Sequence, residues 1–186
     1  MALGFPRQMP SNISVTPLTL AHWDRVCELF ATSSGINACW CMWPRRSRGT
    51  HTPDQEANRA AMKALLDAGV SPGLIALAGD KAVGWCAVGP RRAYPQYEPT
   101  TDPAICWAIP CLYVDPSANR TSVARALIEA AVGLAAENDA VAVEGPPPYW
   151  LPGDPAAIAA ATRRFLENGF AEVGPGARMP ALRRAL

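Results

Sequence analysis

The stretch at residues 114–138, VDPSANRTSVARALIEAAVGLAAEN, constrains the fold more than any other part of the chain. It begins with a turn of the kind that holds phosphate groups and continues as an amphipathic helix. The apolar side of this helix consists of residues at helical spacing: Val123, Ala124, Leu127, Ile128, Ala131, Leu134 and Ala135. The apolar run AICWAIPCLYV, which leads into the turn, predicts a strand. The N-terminus of the helix, which favours anions, therefore follows the end of a strand.

The other segments alternate between strand and helix patterns in the same way. ISVTPLT predicts a strand, and Thr19 is the predicted cap of a helix whose apolar side starts at Leu20. After the irregular aromatic segment GINACWCMWPRRSRG, Thr52 as cap and Pro53 as first helical residue predict a second helix. Two apolar runs joined by GDK predict a hairpin. AVAVEG predicts a strand, DPAAIAAATRRFLENG a helix, and FAEVG with RMPALRRAL a closing pair of strands. The predicted order, β α α β β β α β α β β, is that of an α/β or α+β layered domain.

Composition indicates one soluble domain. The chain has 186 residues, so we expect a single domain at residues 13–186 after a flexible tail at residues 1–12. Seventeen basic and sixteen acidic side chains give a formal net charge of +1, which argues against binding to nucleic acid or to a membrane surface. No export signal and no membrane-spanning apolar run is visible in the sequence. We therefore interpret the six cysteines as reduced thiols of a cytoplasmic protein.

Pro110 lies inside the strand AICWAIPCLYV, where it cannot donate a backbone hydrogen bond. The sequence therefore predicts a bulge or a locally unpaired edge at this position. A bulge would splay the strand away from its neighbour and free a backbone amide for a ligand.

Three segments, in this order and spacing, resemble the GNAT superfamily of acyl-CoA-dependent N-acyltransferases. They are the hairpin GDKAVGW, the strand and helix CLYVDPSANRTSVARALIEAA, and the terminal RRFLENGFAEV. CWCMWPRR and VEG are similar to one subgroup of that superfamily. The resemblance covers about residues 12–186. It implies a mixed, twisted sheet that is split at its central strands and flanked by helices, with acetyl-CoA as co-substrate and no metal.

The resemblance also implies where the cofactor binds. Leu112, Tyr113 and Val114 would line the pantetheine arm. Six residues would hold the phosphates: Asn119, Arg120, Thr121, Ser122, Val123 and Ala124. The family's loop has Arg or Gln, two residues, Gly, one residue, then Gly or Ala, and here only the final alanine matches. Either the guanidinium and hydroxyl groups replace the glycines in holding phosphate, or the segment is an ordinary capped helix.

The usual general acid of many family members, a tyrosine in the last helix, is replaced by Phe165, which we expect in the core. Glu144, at the end of AVAVEG where the family opens its acceptor cleft, is the candidate general base. The alternative is a carboxylate that pairs with a nearby arginine. Tyr149, in PPPYW, is the candidate source of the missing hydroxyl. Its alternative is a proline-rich loop packed by its own aromatic residues.

Trp40, Trp43 and Trp150 are candidates for the walls of the acceptor pocket. The arginines of WPRRSR could add stacking and charge for an acidic partner, but we interpret them as a solvated loop. Cys39 and Cys41 lack a second pair of metal ligands at suitable spacing, so reduced thiols are favoured over a metal site.

Two functions remain open at this stage. The first is an N-acyltransferase that moves an acetyl group from acetyl-CoA to an amine of a small molecule or peptide by direct attack. The second is a non-catalytic GNAT-fold binding protein that has lost normal CoA binding. The sequence names neither the acceptor nor the oligomeric state, and a homodimer is compatible with it.

Overall fold

The computed structural model describes residues 13–47, 54–97, 106–146, 154–173 and 181–186. The strands are β1 (Ile13–Pro17), β2 (Gly73–Ala78), β3 (Lys81–Pro90), β4 (Cys106–Val114), β5 (Ala142–Glu144), β6 (Ala171–Val173) and β7 (Ala181–Ala185). The helices are α1 (Trp23–Ala31), α2 (Ser34–Cys39), α3 (Gln55–Asp67), α4 (Arg120–Ala136) and α5 (Pro155–Glu167). Short 3₁₀ turns cover Leu20–His22, Trp43–Arg45 and Arg91–Ala93. The predicted tail lies outside the described residues.

The predicted order of elements is confirmed, with three local corrections. The short helix α2 forms in the segment that the sequence left irregular. The cap of α3 is Asp54, whose side chain accepts hydrogen bonds from the amides of Glu56 and Ala57. The prediction of Thr52 as cap was therefore wrong. Leu20 is 47 % exposed instead of buried, because the 3₁₀ turn rotates it away from the apolar side of α1.

All seven strands form one sheet in the order β1-β2-β3-β4-β5-β7-β6. β4 and β5 are parallel, and every other neighbouring pair is antiparallel. The predicted hairpin joins β2 to β3 through Gly79 and Asp80, and Gly79 has the positive φ, +60°, that this turn needs. The sheet is thus mixed, as predicted for an α/β domain. None of the described helices is long and apolar enough to cross a membrane.

A hydrophobic core lies on each face of the sheet. On the first, here called the α4 face, residues of α4 and α5 such as Leu127 and Phe165 pack against β2, β3, β4 and β7. On the second, the α1 face, residues of α1, α2 and α3 such as Phe30 pack around Trp85 of β3. None of the six cysteines is in a disulfide.

The predicted irregularity at Pro110 is a bulge in β4. Ala87 of β3 pairs with Cys111, but Gly89 pairs with Ala108, so β4 has one more residue than β3 over this interval. The extra residue shifts the alternation of side chains along β4. Trp107 and Ile109 lie on the α4 face, and so do Leu112 and Val114, whereas Cys111 and Tyr113 lie on the α1 face. The bulge therefore decides which side chains of β4 face which core.

Candidate active site

A cleft opens between the two parallel strands at the centre of the sheet. β5 pairs with only three residues of β4, and this pairing ends at Ala108 and Glu144. Residues 109–114 continue β4 without a partner from β5. We call the space beside these residues the cleft. The sheet is split at the position that the sequence predicted, beside the strand with the bulge.

The backbone of β4 offers hydrogen-bonding groups to the cleft. The amide of Asp115 donates to the carbonyl of Val83 on β3, 3.0 Å away. Backbone groups alternate in direction along an antiparallel strand, so Tyr113 also directs its amide and carbonyl toward β3. Leu112 and Val114 direct theirs away from β3, into the cleft. Of the three residues predicted to line the pantetheine, these two offer backbone groups.

The turn between β4 and α4, residues 115–119, is organised by Asp115, which is 4 % exposed. One carboxylate oxygen accepts from Lys81 Nζ at 2.8 Å. The other accepts from the amide of Ser117 at 2.9 Å and from its hydroxyl at 2.8 Å. The hydrogen bond from Lys81, together with those from Ser117, lowers the pKa of Asp115, although burial acts in the opposite direction. No local pattern pointed to this contact because Lys81 is 34 residues away in the chain.

The turn does not use the backbone conformation for which glycine is needed. Positive φ among described non-glycine residues occurs at Trp40, Cys41 and Asp139, and none of these lies at residues 115–124. The loss of glycine from this loop therefore causes no φ strain. Instead, the side-chain oxygen of Asn119 caps α4 by accepting from the amide of Ser122 at 3.2 Å.

The six residues predicted to hold phosphates divide into two groups. Arg120 and Thr121 are exposed and Ser122 is half-buried, so their side chains can reach a ligand at the helix N-terminus. Val123 and Ala124 are each 1 % exposed and belong to the core of the α4 face. Only the backbone of these two residues, and not their side chains, can therefore contribute to phosphate binding.

Gly84 of β3 brings α4 close to the sheet. A Cβ atom at this position would lie 2.6 Å from Cγ1 of Val123 and 2.9 Å from Cδ1 of Leu127. Only glycine therefore allows the first turns of α4 to pack at this distance from β3. The predicted phosphate site depends on a glycine in a different strand.

Glu144 is in a buried ion pair, which is one of the two alternatives that the sequence left open. Arg91 Nε donates to Glu144 Oε2 at 2.7 Å, and their side chains are 6 % and 8 % exposed.

The guanidinium of Arg91 also lies 4.3 Å from the ring centre of Tyr97. The hydroxyl of Tyr97 donates to the carbonyl of Gly145 at 3.1 Å. Burial, followed by the neighbouring Tyr94 and Glu144, raises the pKa of Tyr97 well above its ordinary value, so this hydroxyl stays protonated. No pattern in the sequence marked Arg91 and Tyr97 as candidate site residues.

Phe165 is a core residue, as predicted. It is 1 % exposed and contacts the ring of Phe170 edge-on, with ring centres 5.2 Å apart. Its ring also lies under Gly145, where an added Cβ would be 3.3 Å away. Tyr149 and Trp150 lie outside the described residues.

Trp40 belongs to the core of the α1 face and is 2 % exposed. It stacks on Trp23 and contacts Phe30 edge-on, with ring centres 5.5 and 5.0 Å apart. Trp40 and Cys41 have φ values of 48° and 50°, which is rare for residues with bulky side chains and common at functional sites. Trp43 is half-buried and begins a 3₁₀ turn.

The thiols of Cys39 and Cys41 lie at the end of α2 and shortly after it. No group of three or more possible ligands occurs within the described ranges. Cys41 accepts a hydrogen bond from Trp85 Nε1 at 3.2 Å, and burial raises the pKa of its thiol well above the ordinary value. Burial also raises the pKa of Cys39. Both thiols are thereby kept protonated, the form that does not bind metals.

A mixed sheet that separates between its parallel central strands, beside a helix N-terminus, defines the class of acyl-transfer folds that the sequence resembled. Residues 32–145, more than half of the chain, match the model of the acetyltransferase (GNAT) family. The chain belongs to this family.

Solved structures support the same fold. Ribosomal-protein-alanine N-acetyltransferase from Brucella melitensis is 18 % identical, with 93 % of this chain and 99 % of that chain covered and a TM-score of 0.58. PaiA N-acetyltransferase from Thermoplasma acidophilum, solved with coenzyme A, is 12 % identical, with coverages of 94 % and 99 % and a TM-score of 0.55. YncA from Salmonella typhimurium, solved with acetyl-CoA, is 14 % identical, with coverages of 95 % and 95 % and a TM-score of 0.59. The comparison with curated proteins produced no match.

Proposed function

We propose that this protein is an N-acetyltransferase that moves the acetyl group of acetyl-CoA to an amine of a small molecule or peptide. The observation that carries the proposal is the cleft, where β4 continues past the end of β5 with the backbone groups of Leu112 and Val114 directed into the gap. Extended backbone of this kind suits the amide groups of a pantetheine arm. The complexes of PaiA with coenzyme A and of YncA with acetyl-CoA support this cofactor.

The phosphates of CoA would lie at the N-terminus of α4. By position, the amides of Arg120 and Thr121 have no acceptor inside the helix, and the helix dipole favours an anion there. The guanidinium of Arg120 and the hydroxyls of Thr121 and Ser122 add charged and neutral donors. The side chain of Lys81 is 60 % exposed beside the same turn, but its charge is paired with Asp115, so Arg120 supplies the positive charge here. The hydrogen-bond donors at the N-terminus of α4 therefore fit a diphosphate, although the loop contains no glycine.

In the reaction, the free amine of the acceptor attacks the thioester carbonyl carbon and a C–N bond forms. The C–S bond then breaks, and CoA leaves as its thiolate. The proton lost by the acceptor ammonium goes to a base, for which Glu144 is the candidate, directly or through water. Of the two bulge residues, only Ile109 has an amide that could polarise the carbonyl, because Pro110 lacks one. In this proposal Tyr149 supplies a proton to the thiolate, and Trp43 and Trp150 border the acceptor.

Calorimetric titration of CoA into the protein tests the binding step. Thiol release from acetyl-CoA, measured in the presence of a panel of amines, tests the transfer step. We expect saturable CoA binding and amine-dependent thiol release. Absence of CoA binding would reject the acyl-CoA proposal as a whole.

The role of Glu144 can be tested by Glu144→Gln, which keeps the shape of the side chain but removes the base. We expect kcat at neutral pH to fall by about 10²-fold, measured below the unfolding temperature of the variant. Exposed Glu167→Gln is the matched control and should leave kcat unchanged. Equal kcat for Glu144→Gln and the parent would leave Glu144 as a purely structural residue.

A second candidate is a non-catalytic GNAT-fold protein. Two observations favour it: Phe165 occupies the position of the usual tyrosine acid, and Glu144 is held by Arg91. The same two assays separate the candidates. CoA binding without thiol release for any amine would support the non-catalytic protein, whereas amine-dependent release excludes it.

A further inference from the structure

The segment at residues 40–46 crosses β3 and β4 on the α1 face, beside the cleft. Its Cys41 accepts a hydrogen bond from Trp85 Nε1, and Trp85 pairs with Tyr113 of β4. At its other end, Arg45 donates to the hydroxyl of Tyr94 at 2.9 Å. That hydroxyl lies against Gly89, which pairs with β4 immediately before the bulge. The segment therefore lies on the opposite side of the cleft from α4, the side from which an acceptor would approach the thioester in the proposed reaction.

This segment contains two buried N–H groups that have no acceptor. Trp40 Nε1 and Arg46 Nε are the buried side-chain nitrogen or oxygen atoms left unpartnered in the part of the chain that the structure describes. Both are donors, and a buried donor without an acceptor is unfavourable. Asn58 accepts from Arg46 at 2.6 Å and donates to the carbonyl of Ala38, two residues before Trp40, at 2.9 Å. The surroundings of residues 40–46 therefore contain more hydrogen-bond donors than acceptors.

The arginines around these donors also lack carboxylate partners among the described residues. Arg46 pairs with an asparagine, and Arg45 with a backbone carbonyl and a tyrosine hydroxyl. Arg59 lies 5.4 and 5.8 Å from the ring centres of Trp23 and Trp40 and donates to a cysteine sulfur.

Elsewhere two described arginines have a close carboxylate partner, whereas Arg183 and Arg184 donate to a cysteine sulfur and to a backbone carbonyl. Arg25 pairs with Asp80 at 2.9 Å, and Arg91 pairs with Glu144. The positive charge beside residues 40–46 is therefore not neutralised by an ion pair in the described structure. A negatively charged group with several acceptor atoms would satisfy both the charge and the two unpartnered donors.

We propose that the acceptor is an amine that also bears a carboxylate, as an α-amino acid does, and that Trp40, Arg46 and Arg59 bind this carboxylate. We call these three residues the donor cluster. The inference rests on the proposed function for the amine, but the carboxylate site stands on its own contacts. Polyamines, which carry only positive charge, offer no acceptor atoms to these donors.

Matched substrate pairs test the class of acceptor. The common α-amino acids are each compared with the amine that lacks the α-carboxylate, such as phenylalanine with phenethylamine, in the thiol-release assay. We expect at least one amino acid to exceed its partner in kcat/KM by about tenfold or more. Amines that equal or exceed their amino acids in every pair would overturn the inference and leave the transferase proposal intact.

Variants of the donor cluster test the site itself. Trp40→Phe keeps the aromatic ring and removes the N–H group, and Arg59→Met removes the charge of an exposed side chain. Arg25→Met is the matched control because Arg25 already has a carboxylate partner. We expect the first two variants to raise KM for the best amino acid about tenfold with little change in kcat, and the control to match the parent. Unchanged KM in both variants would contradict the inference.

A binding experiment distinguishes failure of the acetyltransferase proposal from failure of the carboxylate-site proposal. The same amino acids and amines are titrated into the protein by calorimetry, without acetyl-CoA, for the parent, Trp40→Phe and Arg59→Met. Binding of an amino acid that both variants weaken, without any transfer, would retain the carboxylate site and reject the transferase. If no amino acid binds better than its matched amine, and none is a better acceptor, the carboxylate site is rejected.

Discussion

The ion pair of Arg91 and Glu144 should stabilise the fold only as a pair. The two charged groups are 2.7 Å apart, and their side chains are 6 % and 8 % exposed, so water cannot compensate for the loss of either one. Removing one partner of a buried pair typically costs about 3–5 kcal/mol, because the other charge remains buried. For a domain of this size, each kcal/mol corresponds to roughly 2–4 °C in Tm. We therefore expect Arg91→Met and Glu144→Leu each to lower Tm by roughly 6–20 °C.

The double variant Arg91→Met/Glu144→Leu removes both charges and places apolar side chains in the same volume. Such replacements are often neutral or stabilising, so the double variant should be more stable than either single variant. Urea and thermal unfolding of all four proteins give the coupling free energy directly. Lys63→Met is the control, because its partner Asp67 is 51 % exposed, and it should cost less than about 1 kcal/mol.

Additive losses in the double variant would refute this reasoning, and so would single variants that lose less than about 1 kcal/mol. Glu144→Gln, the variant that tests the candidate base, belongs in the same unfolding experiments. The buried contact with Arg91 gives a physical reason to expect a loss of stability as well.

Four further variants test other parts of the structure. Phe165→Tyr should not raise kcat, because the position is buried, and its unpartnered hydroxyl should cost about 1–3 kcal/mol in urea unfolding; higher activity would contradict this. The double variant Arg120→Gly/Ser122→Gly should weaken CoA binding by about tenfold or more in calorimetry, since no φ strain is relieved; tighter binding would reject the rebuilt phosphate site. Gly84→Ala should lose about 1–3 kcal/mol of stability because its Cβ overlaps α4, and an unchanged Tm would refute that packing. The pKa of Asp115 is lowered in the folded state, so the contribution of its carboxylate to the free energy of unfolding is present above about pH 4 and is lost as pH falls through the folded pKa. The Tm difference between the parent and Asp115→Asn should therefore shrink below about pH 4.

Much of the fold follows from patterns that are local in the sequence. The hairpin depends on Gly79 in a two-residue turn, and the core side of α4 depends on apolar residues at helical spacing. The bulge follows from Pro110, which has no amide to give to a ladder. Phe165 was assigned to the core from its helical spacing alone, and this is confirmed. These features need only neighbours a few residues away, so the sequence is sufficient to determine them.

The contacts that define the candidate site join residues that are far apart in the chain. Glu144 meets Arg91 across 53 residues, and Asp115 meets Lys81 across 34. Neither charge pattern distinguishes a buried pair from two solvated side chains, because burial is decided by how strands and turns pack. The same is true of Trp40, whose aromatic character was visible but whose unpartnered N–H was not. The sequence by itself determined the elements and the split beside Pro110, whereas only the tertiary structure decided which charges are neutralised and which donors remain unpaired.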